Sequence, residues 1–267
     1  MASHRTHTKT TGAPDYDSPQ FWDARFAAGQ DVGEWLNSGE ALIDTFVADL
    51  EGRRPSLSGD HPPRTLHLGP GVSMLGFKLQ EIYHQRRWKS CHILNVDFSA
   101  EAVRRGLEAE RNKPRDQAMT WHQADLLSWT DISRISHLGP FDVIVDKSTS
   151  DAIATSPDHY VPSPAETDCD NTSPLLCPVI RETLSTTGGA IKVSPVELLA
   201  LHLVPITRRG STWIVLSYSS LRFDNRRLMD RYWSLRCRIP MKAPSGNVSS
   251  TAYTPEVFHW LYVLERR

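Results

Sequence analysis

The sequence predicts an α/β fold: a seven-stranded, mostly parallel sheet with helices on both faces and an antiparallel last strand. Three observations predict it. Short apolar, β-branched runs alternate with helix-compatible stretches, the pattern of a parallel sheet covered on both sides. The first run, Thr65-Leu66-His67-Leu68, ends in the turn Gly69-Pro70-Gly71-Val72-Ser73, a strand–loop–helix unit suited to a nucleotide-like ligand. The last two runs follow one another and read as an antiparallel hairpin at the sheet's edge.

Taken in order, residues 1–17 are polar and read as a disordered tail, so the domain is expected to span 18–267. The stretch 20–50 is helical in pattern, with Phe21, Trp22, Phe26 and Trp35 first and then Leu42, Ile43, Phe46, Val47 and Leu50 at helical spacing. Strands are predicted at 65–68, 92–97, 119–123, 141–146, 212–218, 233–239 and 259–264, and helices at 74–87, 100–112 and 195–205, the last closed by Arg208-Arg209-Gly210. Residues 155–191 break the alternation with Pro157, Pro162, Pro164, Pro174 and Pro178 and read as an insertion or lid, partly irregular.

Composition narrows the function. The chain has 267 residues, 39% apolar and 23% charged, enough to bury a core. A formal net charge of −1 gives no global pull toward nucleic acid or an anionic membrane. No apolar run approaches the ~20 residues that span a bilayer, and residues 1–15 lack the apolar core of a secretory signal. The four cysteines form no CxxC pair and read as free thiols. The histidines show no metal spacing. The expectation is a cytoplasmic protein without a metal, partnered by a protein substrate or a small-molecule acceptor; the oligomeric state is left open.

The cofactor follows from strand ends. A dinucleotide site wants a third small residue where this chain has Met74. No Gly-Lys-Ser/Thr follows the loop, which excludes a Walker site. Adenosyl-methionine fits better. The glycine loop would lie against its methionine part, Asp97 would accept from the ribose diol at the end of the second strand, and Asp125 would accept from the adenine beyond the third.

These residues resemble the class I adenosyl-methionine-dependent methyltransferases, a Rossmann-like fold. Within them the chain is similar to the methyltransferase-like subgroup that includes lysine methyltransferases of translation elongation factor 1-alpha. The resemblance rests on Phe21-Trp22-Asp23-Ala24-Arg25-Phe26, Leu68-Gly69-Pro70-Gly71-Val72-Ser73, Val96-Asp97-Phe98-Ser99 and Lys147-Ser148-Thr149-Ser150-Asp151-Ala152, in that order. It implies that Trp22, Phe26 and Trp35 pack over the cofactor, and that Gly69 and Gly71 face its methionine moiety. It further implies that Asp97 holds the ribose with Phe98 against the adenine, that Asp125 and Leu126 meet the adenine edge, and that Lys147 lies close by. His67 stands where the family often has an acidic residue, and Ser148 and Ser150 replace its Gly and Leu.

The candidate catalytic residues are Asp146, at a strand end where a carboxylate could orient an amine, and Tyr218, on the carboxyl edge where ligands bind in such sheets. The first reading is N-methylation of a protein lysine. A small-molecule O- or N-methyltransferase and a catalytically silent cofactor-binding partner protein are the alternatives.

Overall fold

A computed structural model describes residues 14–28, 34–52, 62–163, 176–244 and 256–267. The strands of its main sheet are β1 (Thr65–Leu68), β2 (Ile93–Asp97), β3 (Thr120–Gln123), β4 (Phe141–Lys147), β7 (Thr207–Ser217), β8 (Trp233–Lys242) and β9 (Phe258–Arg266). A separate two-stranded ribbon pairs β5 (His159–Val161) with β6 (Ile191–Val193). The main sheet runs β3-β2-β1-β4-β7-β9-β8. All its pairings are parallel except those of β9, which is antiparallel to both β7 and β8. That is the sheet the sequence predicts, antiparallel last strand included.

The helices are α1 (Pro19–Ala27), α2 (Glu40–Gly52), α3 (Leu75–Gln85), α4 (Ala100–Glu110), α5 (Trp129–Ile135), α6 (Thr149–Ile153), α7 (Pro178–Thr187) and α8 (Pro195–Leu203). Side-chain alternation divides the core between the two faces of the sheet. Val143 and Val145 of β4, with Ile214 and Leu216 of β7, face Leu42, Phe46, Leu75 and Leu79 of α2 and α3. The intervening Ile144, Trp213 and Val215 face Ile180 and Leu184 of α7 and Leu199 and Leu203 of α8. Central strands buried on both faces explain the nearly unbroken apolar run of 141–146.

Four expectations change. The helical stretch 20–50 is two helices, and residues 34–39 between them form a non-helical strap. Tyr16 packs on the aromatic rings of α1, so the tail expected over 1–17 gives way to ordered chain by Pro14; residues 1–13 lie outside the described residues. Arg208-Arg209-Gly210 opens β7 instead of closing α8. Gly210 takes φ +82° there, and the register against β4 shifts between Phe141 and Val143. Within the insertion, α7 and the β5–β6 ribbon are regular, while 164–175 lie outside the described residues. Among the described residues no helix is long and apolar enough to cross a membrane.

The face of α4 is fitted tightly to β3. A Cβ placed on Gly106 would stand 2.3 Å from the Trp121 ring. Gly106→Ala is therefore expected to lower stability by roughly 1–2 kcal/mol, because overpacking outweighs the helix-propensity gain. Thermal melts of the purified variant check this.

Candidate active site

The carboxyl edge of the sheet opens into a cleft of about 970 Å³. Its floor is the turn after β1. Gly69 has φ +52°, and a Cβ there would lie 2.3 Å from Thr149 Oγ1, whose hydroxyl donates to the Leu68 carbonyl at 2.8 Å. Gly71 has φ +53°, and its Cβ would meet Phe26 at 3.1 Å. Both conformation and space therefore require glycine. The Gly71 N–H donates to Asp97 Oδ2 at 2.9 Å, so the end of β2 braces the loop. Asp97 also accepts from the Ser99 N–H at 2.9 Å. Burial pushes its carboxyl up to about 6 against the pull of these N–H donors, and the charge of Asp23 adds to the rise.

An aromatic roof covers this floor. Trp22 and Phe26 lie 5.6 Å apart between ring centroids, Trp22 and Trp35 5.8 Å, and Tyr16 and Trp35 5.5 Å. The Trp22 indole donates to the Tyr16 carbonyl at 2.8 Å. Between the two roof residues of α1, Asp23 turns the other way. It accepts from the Ser99 hydroxyl at 2.6 Å and the Glu101 N–H at 3.1 Å, joining the first turn of α4 to α1. One short motif thus supplies two cleft aromatics and one helix cap.

The strap 34–39 is fastened by Glu34. Its carboxylate accepts from the Met74 N–H at 2.7 Å and the Ser73 hydroxyl at 2.9 Å, and pairs with Lys147. Burial raises the Glu34 carboxyl, but the bonds from Lys147, Met74 and Ser73 outweigh it and hold the group below its ordinary range. Burial also pulls the Lys147 ammonium down, and Glu34 opposes it. Opposite the roof, Phe98, Asp125 and Leu126 complete the wall. Asp125 is exposed and accepts from the Leu127 N–H at 2.8 Å. All ten residues expected around the cofactor thus line one cleft.

The two catalytic candidates part company. Tyr218 lines the cleft and is 55% exposed, with the Arg222 guanidinium 5.4 Å from its ring centre. Asp146 is fully buried behind the wall and caps α6, accepting from the Thr149 N–H at 2.8 Å and the Ser150 N–H at 3.2 Å. Burial, with the charge of Asp151, pushes it up to about 7. Asp146 does not line the cleft, and its carboxylate is taken up in capping α6. His67 is likewise out of the cleft, buried beneath α3 and paired with Asn95 at 2.9 Å, and burial drives its pKa down to about 4.

Two cleft residues escaped the sequence reading. Asp151 accepts from the hydroxyls of Ser148 and Ser217, from the Tyr218 N–H at 3.1 Å and from Arg222 Nε at 2.8 Å. It stands in the quoted segment after β4, so its signal was present. His159, on the insertion's ribbon, also lines the cleft, and its Nε2 is buried with no hydrogen-bond partner among the described residues. A histidine among prolines and serines gives no comparable signal.

Comparison with known proteins follows the same line. No family model matches the chain. Methyltransferase srdJ of Neurospora crassa is 27% identical over 255 residues, covering 96% of this chain and 86% of that protein. The chain is an adenosyl-methionine-dependent methyltransferase. A protein-lysine N-methyltransferase of Saccharomyces cerevisiae, EFM4, is 25% identical over 151 residues, 51% of this chain and 59% of that one. The fold of this methyltransferase is also that of a SAM-dependent methyltransferase from Anabaena variabilis, at TM-score 0.51 and 12% identity over 100% of this chain and 99% of that one.

The methyltransferase's Asp97 makes a pH prediction. As pH falls through about 6 the carboxylate takes up a proton, and a charged acceptor at the end of β2 is lost. Adenosyl-methionine affinity is expected to be about tenfold weaker at about pH 5 than at about pH 8 by calorimetric titration. Stability of the ligand-free protein moves the other way. Asp97 binds its proton more readily folded than at the ordinary value of 3.8, so its contribution to stability rises as pH drops from about 6 toward 3.8. Asp97→Asn should be weak at every pH, with the affinity profile flattened.

Proposed function

We propose that this methyltransferase uses adenosyl-methionine and methylates a nitrogen nucleophile, with a lysine of a protein as the first candidate acceptor. Bound adenosyl-methionine supplies a methyl group already activated by the positive sulfonium. The residues present fit it. Gly69 and Gly71 leave a cradle that a Cβ would fill, Asp97 offers carboxylate lone pairs at the end of β2, and the roof of Trp22, Phe26 and Trp35 presents ring faces that attract a cation. The observation that carries the reading is that this cradle and the exposed Tyr218 belong to one cleft. A cofactor held at one end and an acceptor at the other meet without a covalent intermediate, and alignment supplies much of the rate. A lysine acceptor is supported by the subgroup motifs and by the likeness to the yeast enzyme over about half the chain. The free thiols Cys91, Cys177 and Cys237 suit a cytosolic place of work.

The enzyme's own groups have separable jobs. Asp151 and Arg222 form a buried pair, 3% and 8% exposed in their side chains, that fixes the backbone under Tyr218. Ser148 ties Trp35 to Asp151, accepting from the indole at 3.1 Å and donating at 2.7 Å. This links the roof over the cofactor to the acceptor edge.

A specific observation favours a second reading, a small-molecule acceptor. Among the described residues His159 Nε2 has no hydrogen-bond partner, and it sits on the separate β5–β6 ribbon at the cleft wall. There it can take the proton an acceptor hydroxyl or amine gives up. His159→Gln is then expected to cut turnover by about a hundredfold or more with cofactor affinity unchanged. Turnover equal to the parent's would remove His159 from the chemistry. Incubating a cell extract with methyl-labelled adenosyl-methionine and the enzyme decides the acceptor. Label in a single protein band supports the lysine reading, and label confined to the low-mass fraction overturns it in favour of the second.

A further inference from the structure

The opposite edge of the sheet holds a second concavity, and nothing in the methyl-transfer reading uses it. Residues just before the strands converge there: Arg64 ahead of β1, His92 ahead of β2, Asp142 at the start of β4 and Arg208 at the start of β7. The segment after α3 completes it with Arg86, Arg87, Trp88 and Lys89. Its volume is about 690 Å³.

The charge there is lopsided. Arg208 pairs with Asp142, and Arg86 meets Glu51 at 3.2 Å. Arg64 is turned onto the carbonyls of Leu138 at 2.7 Å and Gly139 at 2.9 Å, which leaves its charge uncancelled. Arg87 and Lys89 have no ion-pair or hydrogen-bond partner for their side chains among the described residues. Three cations therefore face one concavity on a chain whose formal net charge is −1. His92 senses the field: burial and then the charges of Arg64 and Lys89 pull its imidazolium below the ordinary value.

Backbone geometry adds an independent observation. α3 ends with the Arg87 N–H on the His84 carbonyl at 3.0 Å and the Trp88 N–H on the Tyr83 carbonyl at 2.8 Å. That double bond pattern places the residue after the cap in the left-handed region, where glycine is the ordinary choice. Arg87 occupies it at φ +58°. A long cation at the rim of a cationic concavity, held in a conformation that disfavours it, is strain of the kind found at ligand sites. The adjacent Trp88 is a fixed flat wall, its ring 5.4 Å from Tyr83 and edge-on to it, with Arg86 stacked 5.4 Å over it.

We propose that this concavity is a binding site for a phosphate-bearing ligand, with Arg87 and Lys89 as its charge contacts and Trp88 as the wall for an organic body. The volume is too large for a phosphate ion alone and suits a phosphorylated metabolite or a phosphorylated side chain. Phosphate is favoured because several cations at one concavity match its higher charge and its three acceptor oxygens.

Calorimetric titration of the full chain, with the methyl-transfer cleft saturated by adenosyl-homocysteine, tests this with two probes, inorganic pyrophosphate and a phosphoserine peptide. Binding of either supports the site, and the tighter probe tells whether the source is a small molecule or a protein. Arg87→Gly separates function from folding. Relieving the left-handed residue should leave the melting temperature equal or higher, while probe affinity falls by about tenfold or more. Lys89→Ala should weaken binding likewise, and Arg104→Ala, on the exposed face of α4, should not. Absence of binding by the parent to both probes at millimolar concentration overturns the proposal. Parent-like affinity in Arg87→Gly also overturns it.

Discussion

Contact between Gly69 and Thr149 is the constraint on which the cleft depends. The chain leaves β1 through a residue with no room for a Cβ, because the Thr149 hydroxyl must reach the Leu68 carbonyl. Thr149 is placed by the turn after β4, and that turn is held by Asp146, which takes up the free N–H groups at the start of α6. Two adjacent strand ends are thus locked at van der Waals distance. Gly71 repeats the arrangement one step further out, between Asp97 below and Phe26 above. A floor this close to backbone leaves the cleft's volume free for a ligand.

The roof is fastened by charge and by hydrogen bonds, with few apolar contacts to the core. Glu34 holds Lys147, Ser73 and the N-terminal turn of α3 at once, so the strap cannot shift without exposing a buried ammonium and an uncapped helix end. This explains why Lys147, at the end of β4, lines the cleft yet is not a free cation there. Its charge is answered by the strap. Asp97 at the cleft floor is held by the Gly71 and Ser99 N–H groups, while burial disfavours its ionised form.

Much of this was legible in the sequence, because parallel sheets write themselves plainly. Strands buried on both faces are apolar runs, and ligand residues cluster at their carboxyl ends. The glycine turn and that rule together pointed to Gly69, Gly71, Asp97 and Asp125, and all four line the cleft. Asp146 shows where the rule fails. It too is a strand-end aspartate, but the turn at Ser148 folds the chain back so soon that its carboxylate is consumed by the helix behind it. Asp151, five residues on, holds the cleft position a linear reading gave to Asp146. His159 was hidden because a three-residue ribbon strand has too few positions to show a period. Arg208-Arg209-Gly210 misled for a related reason: a glycine with positive φ ends helices and also bends long strands, and only the pairing with β4 distinguishes the two.

Ser148 occupies φ +66° where the resembling family has glycine, a placement that costs on the order of 1 kcal/mol or more for a residue with a Cβ. What holds it there is a relay from the Trp35 indole through its hydroxyl to Asp151. The same hydroxyl therefore couples the strap above the cleft to the strand end beneath it, and moving Trp35 away would break a hydrogen bond that a glycine at this position could not make.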